Sequence, residues 1–397
     1  MSTTNPGPNP GMDPEVFAQF HEQLERYVRE RLIPAEAQVI AEDKIPDDIL
    51  REMREMGLFG LTMPEEYGGA GMNITQYIET IHTLSYALPA YRSITSINLG
   101  MVCSAVKNNG TPEQKAEWLP RLAAGEIASF GLTEPGSGSD SAGLQTSAVR
   151  SGNGYVLNGT KRYITNAPFA KVALIMARTN KEALPKNAHV SAFIVPMDTP
   201  GIAVGKSDKK MGQGGSHIAD IILEDVHVPG EALLGGVEGQ GFAVAMQSLD
   251  NGRLSVGAAA TAYAKRALDT ALRYANERKA FGEPIANFQL IQAMLADSQA
   301  EIYAAQCMMR DAIAKADAGQ KVLMEAAAFK MFASEMCGRV ADRCVQIHGG
   351  AGYLAEYEAE RFFRDSRIYR IYEGTTQIMQ LVIAKQMLRN FAAGIAG

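Results

Sequence analysis

At 397 residues the chain is long enough for about two or three domains and a substantial core. Hydrophobic residues at 46% and charged residues at 21% exclude a disordered, collagen-like or coiled-coil chain, and a formal charge of -6 supplies no general attraction for nucleic acid or an anionic membrane. Cys103, Cys307, Cys337 and Cys344 show no C-x-x-C spacing, which predicts thiols in a reducing compartment and neither disulfides nor a metal site. The N-terminus has no basic stretch leading into an apolar one, and no run of about 18 apolar residues occurs, so the expectation is a cytoplasmic protein that spans no membrane.

Residues 1–12, rich in Pro, Gly and Asn, predict a flexible tail, and Asp13-Pro14-Glu15 predicts a helix start with Pro at the first helical position. Phe17, Phe20, Leu24, Tyr27 and Val28 recur at helical spacing, as do Ile49, Leu50, Met53 and Met56 before Gly57. Residues 76–106 and 112–122 continue the pattern, so residues 13–127 read as an α-helical domain. From Ala128 the texture changes. Residues 147–149, 155–157, 172–177, 190–195 and 218–223 are short apolar or alternating runs between turn clusters, predicting an antiparallel β-domain over 128–241. Long helices are then expected at 242–278, 285–317, 322–347 and 376–390, with Phe288, Ile291, Leu295 and Ile302 on one stripe of the second. Their alanine content predicts a close-packed bundle over 242–397 and an oligomer. The fold class is α+β, in the order α, β, α.

Gly350-Ala351-Gly352-Tyr353-Leu354-Ala355 has the G-x-G-x-x-A form of a dinucleotide fingerprint, but a helix precedes it where a strand is required. Gly205-Lys206-Ser207 imitates the end of a P-loop with Gly201 one residue too close. No H-E-x-x-H or G-x-S-x-G occurs. Two loops remain. Residues 130–140, Phe-Gly-Leu-Thr-Glu-Pro-Gly-Ser-Gly-Ser-Asp, combine hydroxyls and glycines that suit phosphate or the polar edge of a flavin, although such a turn alone is usually a connector. Residues 372–377, Tyr-Glu-Gly-Thr-Thr-Gln, set a carboxylate before a glycine and a new helix, where alone it would complement the helix dipole.

Together these loops resemble the acyl-CoA dehydrogenase family, from about Glu15 to Asn390. Pro64-Glu65-Glu66-Tyr67-Gly68-Gly69, Tyr163-Ile164-Thr165-Asn166, Arg253, Arg278-Lys279-Ala280-Phe281-Gly282, Gln346-Ile347-His348-Gly349-Gly350 and Arg364-Asp365 support it in order and spacing. The resemblance implies an N-terminal helical domain, a central β-domain, a C-terminal four-helix domain, and FAD. Phe130, Leu132, Thr133, Gly138, Ser139, Tyr163, Ile164 and Thr165 would line the flavin, with Tyr163 standing where the family commonly has Trp. Arg278, Phe281, Phe288, Gln289, Gln346, Ile347, Gly349 and Gly350 would contact the cofactor of a neighbouring subunit, in a homotetramer or at least a dimer. Thr375, Thr376 and Gln377 would complete the flavin site.

Oxidising Cα–Cβ of a thioester needs a base for a weakly acidic α-proton and an acceptor for the β-hydride, and no side chain accepts hydride. The resemblance makes Glu373 the base, with its backbone N–H and a ribityl hydroxyl as donors to the thioester carbonyl. Some relatives carry the base immediately before Arg253, where this chain has Gly252. Asp250, Arg253, Ser139 and Gly374 would meet the acyl-CoA. Tyr91-Arg92-Ser93-Ile94-Thr95-Ser96 is similar to a segment of glutaryl-CoA dehydrogenases in which the Arg and the second Ser hold a distal carboxylate, although those relatives have Glu where Ser85 stands here. Arg92 and Ser96 are therefore candidates for an anionic acyl end, with pairing of Arg92 to an acid of the N-terminal domain as the other reading. The expected activity is α,β-dehydrogenation of a short, branched or ω-carboxylated acyl-CoA, with electrons passing to electron-transfer flavoprotein. The rivals are a relative that couples deprotonation to decarboxylation or desulfination, and a flavin-retaining binding scaffold.

Overall fold

The computed structural model describes residues 9–394. Residues 1–8 of the expected tail lie outside the described residues, while residues 9–12 are pinned. The Asn9 amide donates to the Gly71 and Met72 carbonyls, and Gln76 bonds both the N–H and the carbonyl of Met12. Helix α1 (Pro14–Tyr27) is capped by Asp13, whose carboxylate accepts from the Glu15 and Val16 amides. It passes through a π-helical turn, Val28–Leu32, into α2 (Ile33–Glu42), followed by α3 (Asp47–Glu55) and α4 (Ile74–Leu84), which opens on an Asn73/Gln76 capping box. Helix α5 (Pro89–Ser96) runs into a seven-residue π-helical stretch, Ile97–Cys103, and then α6 (Ser104–Asn109) and α7 (Pro112–Ala123).

The β-domain holds β1 (Ala128–Gly131), β2 (Ser147–Ser151), β3 (Gly154–Thr165), β4 (Val172–Arg178), β5 (Val190–Pro196), β6 (Ile202–Val204) and β7 (Ile218–Pro229). They form one seven-stranded sheet in the order β1-β4-β2-β3-β7-β6, with β5 also on β4. Most pairings are antiparallel, but β1 runs parallel to β4, Ala128 opposite Val172. Strand β4 is buried on both faces, which is why it reads as a continuous apolar run. Val172, Leu174 and Met176 pack with Trp118 and Leu119 of α7, whereas Ala173, Ile175 and Ala177 pack with Phe193 and Ile221.

The C-terminal domain contains α8 (Gly241–Glu277), a hairpin of β8 (Lys279–Ala280) and β9 (Glu283–Pro284), α9 (Gln289–Asp317), α10 (Leu323–His348), α11 (Glu358–Ser366) and α12 (Thr376–Ala392). Helix α9 begins later than its apolar pattern suggests, because Ile285–Asn287 form a 3-10 turn after Pro284 and Phe288 is extended (φ -84°, ψ 131°). Helix α11 escaped the sequence reading; it is short, with Phe362 buried and Phe363 exposed. Alanines 258, 259, 260, 262, 264, 267 and 271 of α8 are all buried against the bundle. A methyl on Gly257 would lie 2.5–2.9 Å from the Phe329 ring of α10, so only glycine permits that approach.

One core cluster joins the N- and C-terminal helices. Buried Glu36 of α2 links them electrostatically: it pairs with Arg266 of α8 and Arg361 of α11, and accepts the Leu88 N–H at 2.9 Å where α5 begins. No helix among the described residues is long and apolar enough to cross a membrane.

Candidate functional site

Glu373 and Gly374 have consecutive positive φ values, 54° and 97°, and turn the chain sharply ahead of α12. For a glutamate this conformation is unfavourable and needs support from its surroundings. Lys330 of α10, fully buried, donates its Nζ to the Gly374 carbonyl at 2.6 Å. The Thr375 hydroxyl caps α12 by accepting from the Ile378 N–H, and the Thr376 hydroxyl donates to Glu335, which also holds Arg370. These bonds commit both threonine hydroxyls to the turn, while Gln377 is exposed.

The turn aims the Glu373 carboxylate inward, where its side chain is 11% exposed. Oε1 lies 3.7 Å from Arg92 Nη2, and Oε2 is buried without a hydrogen-bond partner. Gly252 of α8 faces it, and a methyl there would overlap Oε2. Glycine at that position therefore both removes the alternative base and makes room for Glu373. Burial pushes the Glu373 pKa above the ordinary carboxylate range, against the opposing pull of Arg92, Lys330 and Arg253.

Arg92 is only 4% exposed. Its ion-pair partner is Glu373, at the far end of the sequence, and not an acid of the N-terminal domain. Nη2 also donates to the Ser255 hydroxyl at 2.9 Å, while Nε is buried and unpartnered. The hydroxyl of Ser85 is buried and unpartnered too, and the buried Tyr77 hydroxyl lies toward Ser255. Ser96 is buried, its hydroxyl directed to the Ser93 carbonyl at 3.4 Å. Arg253 is buried, bonded to Asp250 Oδ1 at 2.5 Å, and within electrostatic reach of Glu373 and Lys330. Asp250 stays half-exposed. Around Glu373 and Asp250 stand the cations Arg92, Arg253 and Lys330, an arrangement that favours an incoming anion.

The Gly/Ser loop at 133–139 is held from beneath. Glu134 pairs with fully buried Lys161 at 2.7 Å and accepts the N–H groups of Gln145 and Thr146. Gly138 and Ser139 are left exposed, with Phe130 and Thr133 half-buried beside them. Strand β3 breaks register with β7 between Lys161 and Ile164, and at that bulge Tyr163 (φ 58°) projects its ring, 55% exposed. Leu132 and Ile164 are core residues, so only their main chains face this wall, and the Thr165 carbonyl is engaged by Ser129. Elsewhere Phe281, 98% exposed, meets the edge of Phe288 on the β8–β9 hairpin. Arg278, Gln289, Gln346, Gly349 and Gly350 are exposed, whereas the Ile347 side chain is in the core. His348 stacks on Tyr274 at 4.1 Å and fixes the end of α10. An exposed aromatic ring beside the loop's hydroxyls, and exposed Phe281 against half-buried Phe288, fit the rings and polar edge of FAD.

Sequence reasoning missed Lys330, Tyr77, Ser255, and the Glu134–Lys161 support. Lys330 alone left a trace, as a charged residue at a buried position of α10 between Phe329 and Ala333.

Three family profiles match the chain: Acyl-CoA dehydrogenase, N-terminal domain, over residues 15–126; the middle domain over 129–226; and the C-terminal domain over 239–388. The chain is 42% identical over 369 residues to the probable acyl-CoA dehydrogenase YngJ of Bacillus subtilis, spanning 93% of this chain and 97% of that protein. It is 38% identical over 379 residues to the human mitochondrial short-chain specific acyl-CoA dehydrogenase, covering 95% and 91% respectively. A glutaryl-CoA dehydrogenase from Mycobacterium smegmatis, solved in complex with FADH2, superposes with a TM-score of 0.88 at 29% identity, covering 95% of each chain.

Proposed function

The chain belongs to the acyl-CoA dehydrogenase family, and on that footing we propose that it oxidises a short acyl-CoA thioester to the trans-2-enoyl-CoA, with Glu373 as base. The observation that carries this reading is a buried carboxylate whose Oε2 has no partner and whose pKa burial raises. Glu373 Oε2 takes the α-proton, and the Glu373 backbone N–H donates to the thioester carbonyl as negative charge develops there. Phe130–Ser139 and Tyr163–Thr165 would hold FAD, which when bound would supply the hydride acceptor for Cβ. Lys330 holds the turn, Gly252 gives the carboxylate its space, and Asp250 receives the pantetheine side of the substrate.

Arg92 bears on the distal end of the acyl group. Arg92 is already paired with Glu373, but its buried Nε has no acceptor, and room for one more acceptor there supports an ω-carboxylated substrate over a plain or branched aliphatic one. The same position of Arg92 favours a second reading, in which deprotonation is coupled to loss of carbon dioxide or sulfite from the anionic end. Exposed Phe281, Leu290, Tyr353 and Phe391 on the C-terminal domain support a homotetramer, with electron-transfer flavoprotein as electron acceptor.

The test is anaerobic titration of the flavin absorption band with glutaryl-CoA, butyryl-CoA and isobutyryl-CoA, with product analysis. Bleaching by glutaryl-CoA is expected, and carbon dioxide release distinguishes the second reading. Bleaching by the neutral thioesters alone would make Arg92 structural. Glu373→Gln is expected to keep FAD and lose about 10²–10⁴-fold in the rate of bleaching. An unchanged rate would remove Glu373 from its role.

A further inference from the structure

Residues 211–216, between β6 and β7, are fastened to the N-terminal and C-terminal helices at once. The Gly215 N–H donates to Asp43 at the end of α2 at 2.7 Å, the Ser216 hydroxyl bonds that of Ser93 on α5 at 3.0 Å, and the Met211 carbonyl accepts from Arg364 of α11 at 2.8 Å. A methyl on Gly212 would lie 2.6–2.8 Å from Asp365 Oδ1 and the Arg364 carbonyl group, so the loop rests directly on α11. Gln213 is buried at φ 55°, a left-handed conformation that glycine would adopt more easily. Glycines 212, 214 and 215 surround it, yet this position keeps a side chain, and such strain persists where contacts outweigh it. The Gln213 N–H donates to Asp365 Oδ1 and the Tyr263 hydroxyl to Oδ2 at 2.7 Å, so both oxygens of the buried carboxylate are held. The Gln213 amide lies 3.4 Å from the Asp365 carbonyl and within hydrogen-bond reach of the Tyr372 hydroxyl. Burial pushes that phenol up to about 12, with Arg92 and then Gln213, as a donor, pulling against it. Tyr372 immediately precedes Glu373.

The other end of the loop leads to the wall that would hold the flavin. The His217 carbonyl accepts the Asn166 N–H at 2.9 Å, and β7 then pairs with β3, Ile218 opposite Thr165 and Ala219 opposite Ile164. Only residues 213–218 lie between the side chain at Tyr372 and the strand that carries Thr165. Taking a proton from Cα and a hydride from Cβ of one substrate requires the base and that wall to keep a fixed separation. The Lys330 bond and the Thr375 cap place Glu373 within the C-terminal domain, but neither reaches the β-domain. We propose that Gln213, clamped by Asp365, is a positioning residue that sets the Glu373 turn against the flavin wall through Tyr372. This rests on the reading of Glu373 as the base. Gln213 touches no reacting atom in this scheme; it acts on the distance between the two groups that do.

The experiment compares Gln213→Gly, Tyr372→Phe and the double variant with the parent holoenzyme in two assays. Exchange of α-hydrogens into D2O, followed by NMR with 3-thiabutyryl-CoA or 3-thiaglutaryl-CoA, reports the base alone, because sulfur at the β position carries no hydride. Anaerobic bleaching of the flavin band by butyryl-CoA or glutaryl-CoA, whichever bleaches the parent, needs the base and the wall together. Gln213→Gly keeps the N–H to Asp365 and suits φ 55°, so thermal stability and FAD content should be unchanged. Bleaching is expected to slow about tenfold or more while exchange stays within about threefold of the parent, since the base keeps its own turn and only its separation from the wall relaxes. Tyr372→Phe should show the same split, and adding Gln213→Gly to it should cause no further loss, its partner already being gone. Parental bleaching in Gln213→Gly, equal losses in the two assays, loss of FAD, or a full further loss in the double variant would overturn the positioning role and leave Glu373 as base. Absence of exchange in the parent would overturn the base assignment and the positioning role with it.

Discussion

Gly252→Ala separates the base from the scaffold that carries it. Position 252 is inside α8, where alanine is favoured over glycine by about 1 kcal/mol. The added methyl would overlap Glu373 Oε2 and lie 3.0 Å from Cδ and 3.1 Å from Met101 Cε. Carbon–carbon contacts settle at about 3.5–4.0 Å, so the carboxyl carbon must retreat by roughly 0.5–1 Å and the oxygen by more. What yields is the end of a flexible side chain, so the fold survives and the base moves. A displacement of about 1 Å in a reacting group costs on the order of 10²-fold in rate. The expected outcome is thermal stability equal to or up to about 1 kcal/mol above the parent, unchanged FAD content, and roughly a hundredfold slower flavin bleaching in anaerobic stopped flow. Gly257→Ala, one turn and a residue further on, makes the control: its methyl meets the buried Phe329 ring, which cannot swing away, and the variant should lose about 1–3 kcal/mol of stability. A bleaching rate for Gly252→Ala within about threefold of the parent would refute the placement of Glu373 against α8.

Glu36→Gln should destabilise the protein by about 1–3 kcal/mol in urea unfolding, because Arg266 and Arg361 would lose their buried partner and keep only Glu358 as a charged one, at 2.8 and 3.4 Å; a loss below about 1 kcal/mol would show the pair to be dispensable. Burial lowers the pKa of Lys330 from 10.5 to about 8, and that of Lys161 to about 8. Between those values the unfolded lysines bind protons that the folded ones have released, so stability rises with pH from about 8 to about 10.5 through both groups. Lys330→Met should remove its share of that rise, seen as a flatter urea midpoint against pH, and slow bleaching about tenfold by freeing the Gly374 carbonyl. An unaltered pH slope with an unaltered rate would count against the buried position of Lys330.

The α, β, α order was legible because each domain writes its own period into the chain. Leu24, Val28, Ile49 and Met53 recur at helical spacing and are buried, while the apolar run of β4 marks a strand covered on both faces. Asp13 ahead of Pro14 announced the first helix start locally, whereas the Asn73 cap placed the start of α4 ahead of the expected residue 76. The parallel pairing of β1 with β4 was not legible, since strand direction is set by how the chain returns across the sheet and leaves no local pattern. Helix α11 was missed because only Ala359 and Phe362 are apolar on its buried face, which Asp365 and Ser366 complete.

In the candidate site, the acidic turn at 372–377 and the Gly/Ser loop stood out by residue type and order. Tertiary structure alone decided what those residues face. Tyr77, Arg92, Ser255, Lys330 and Glu373 come from five separate segments and converge only when α4, α5, α8 and α10 pack around the turn. The proton affinity of Glu373 follows from that convergence, because desolvation and neighbouring charge act through space and have no counterpart in the order of residues along a chain.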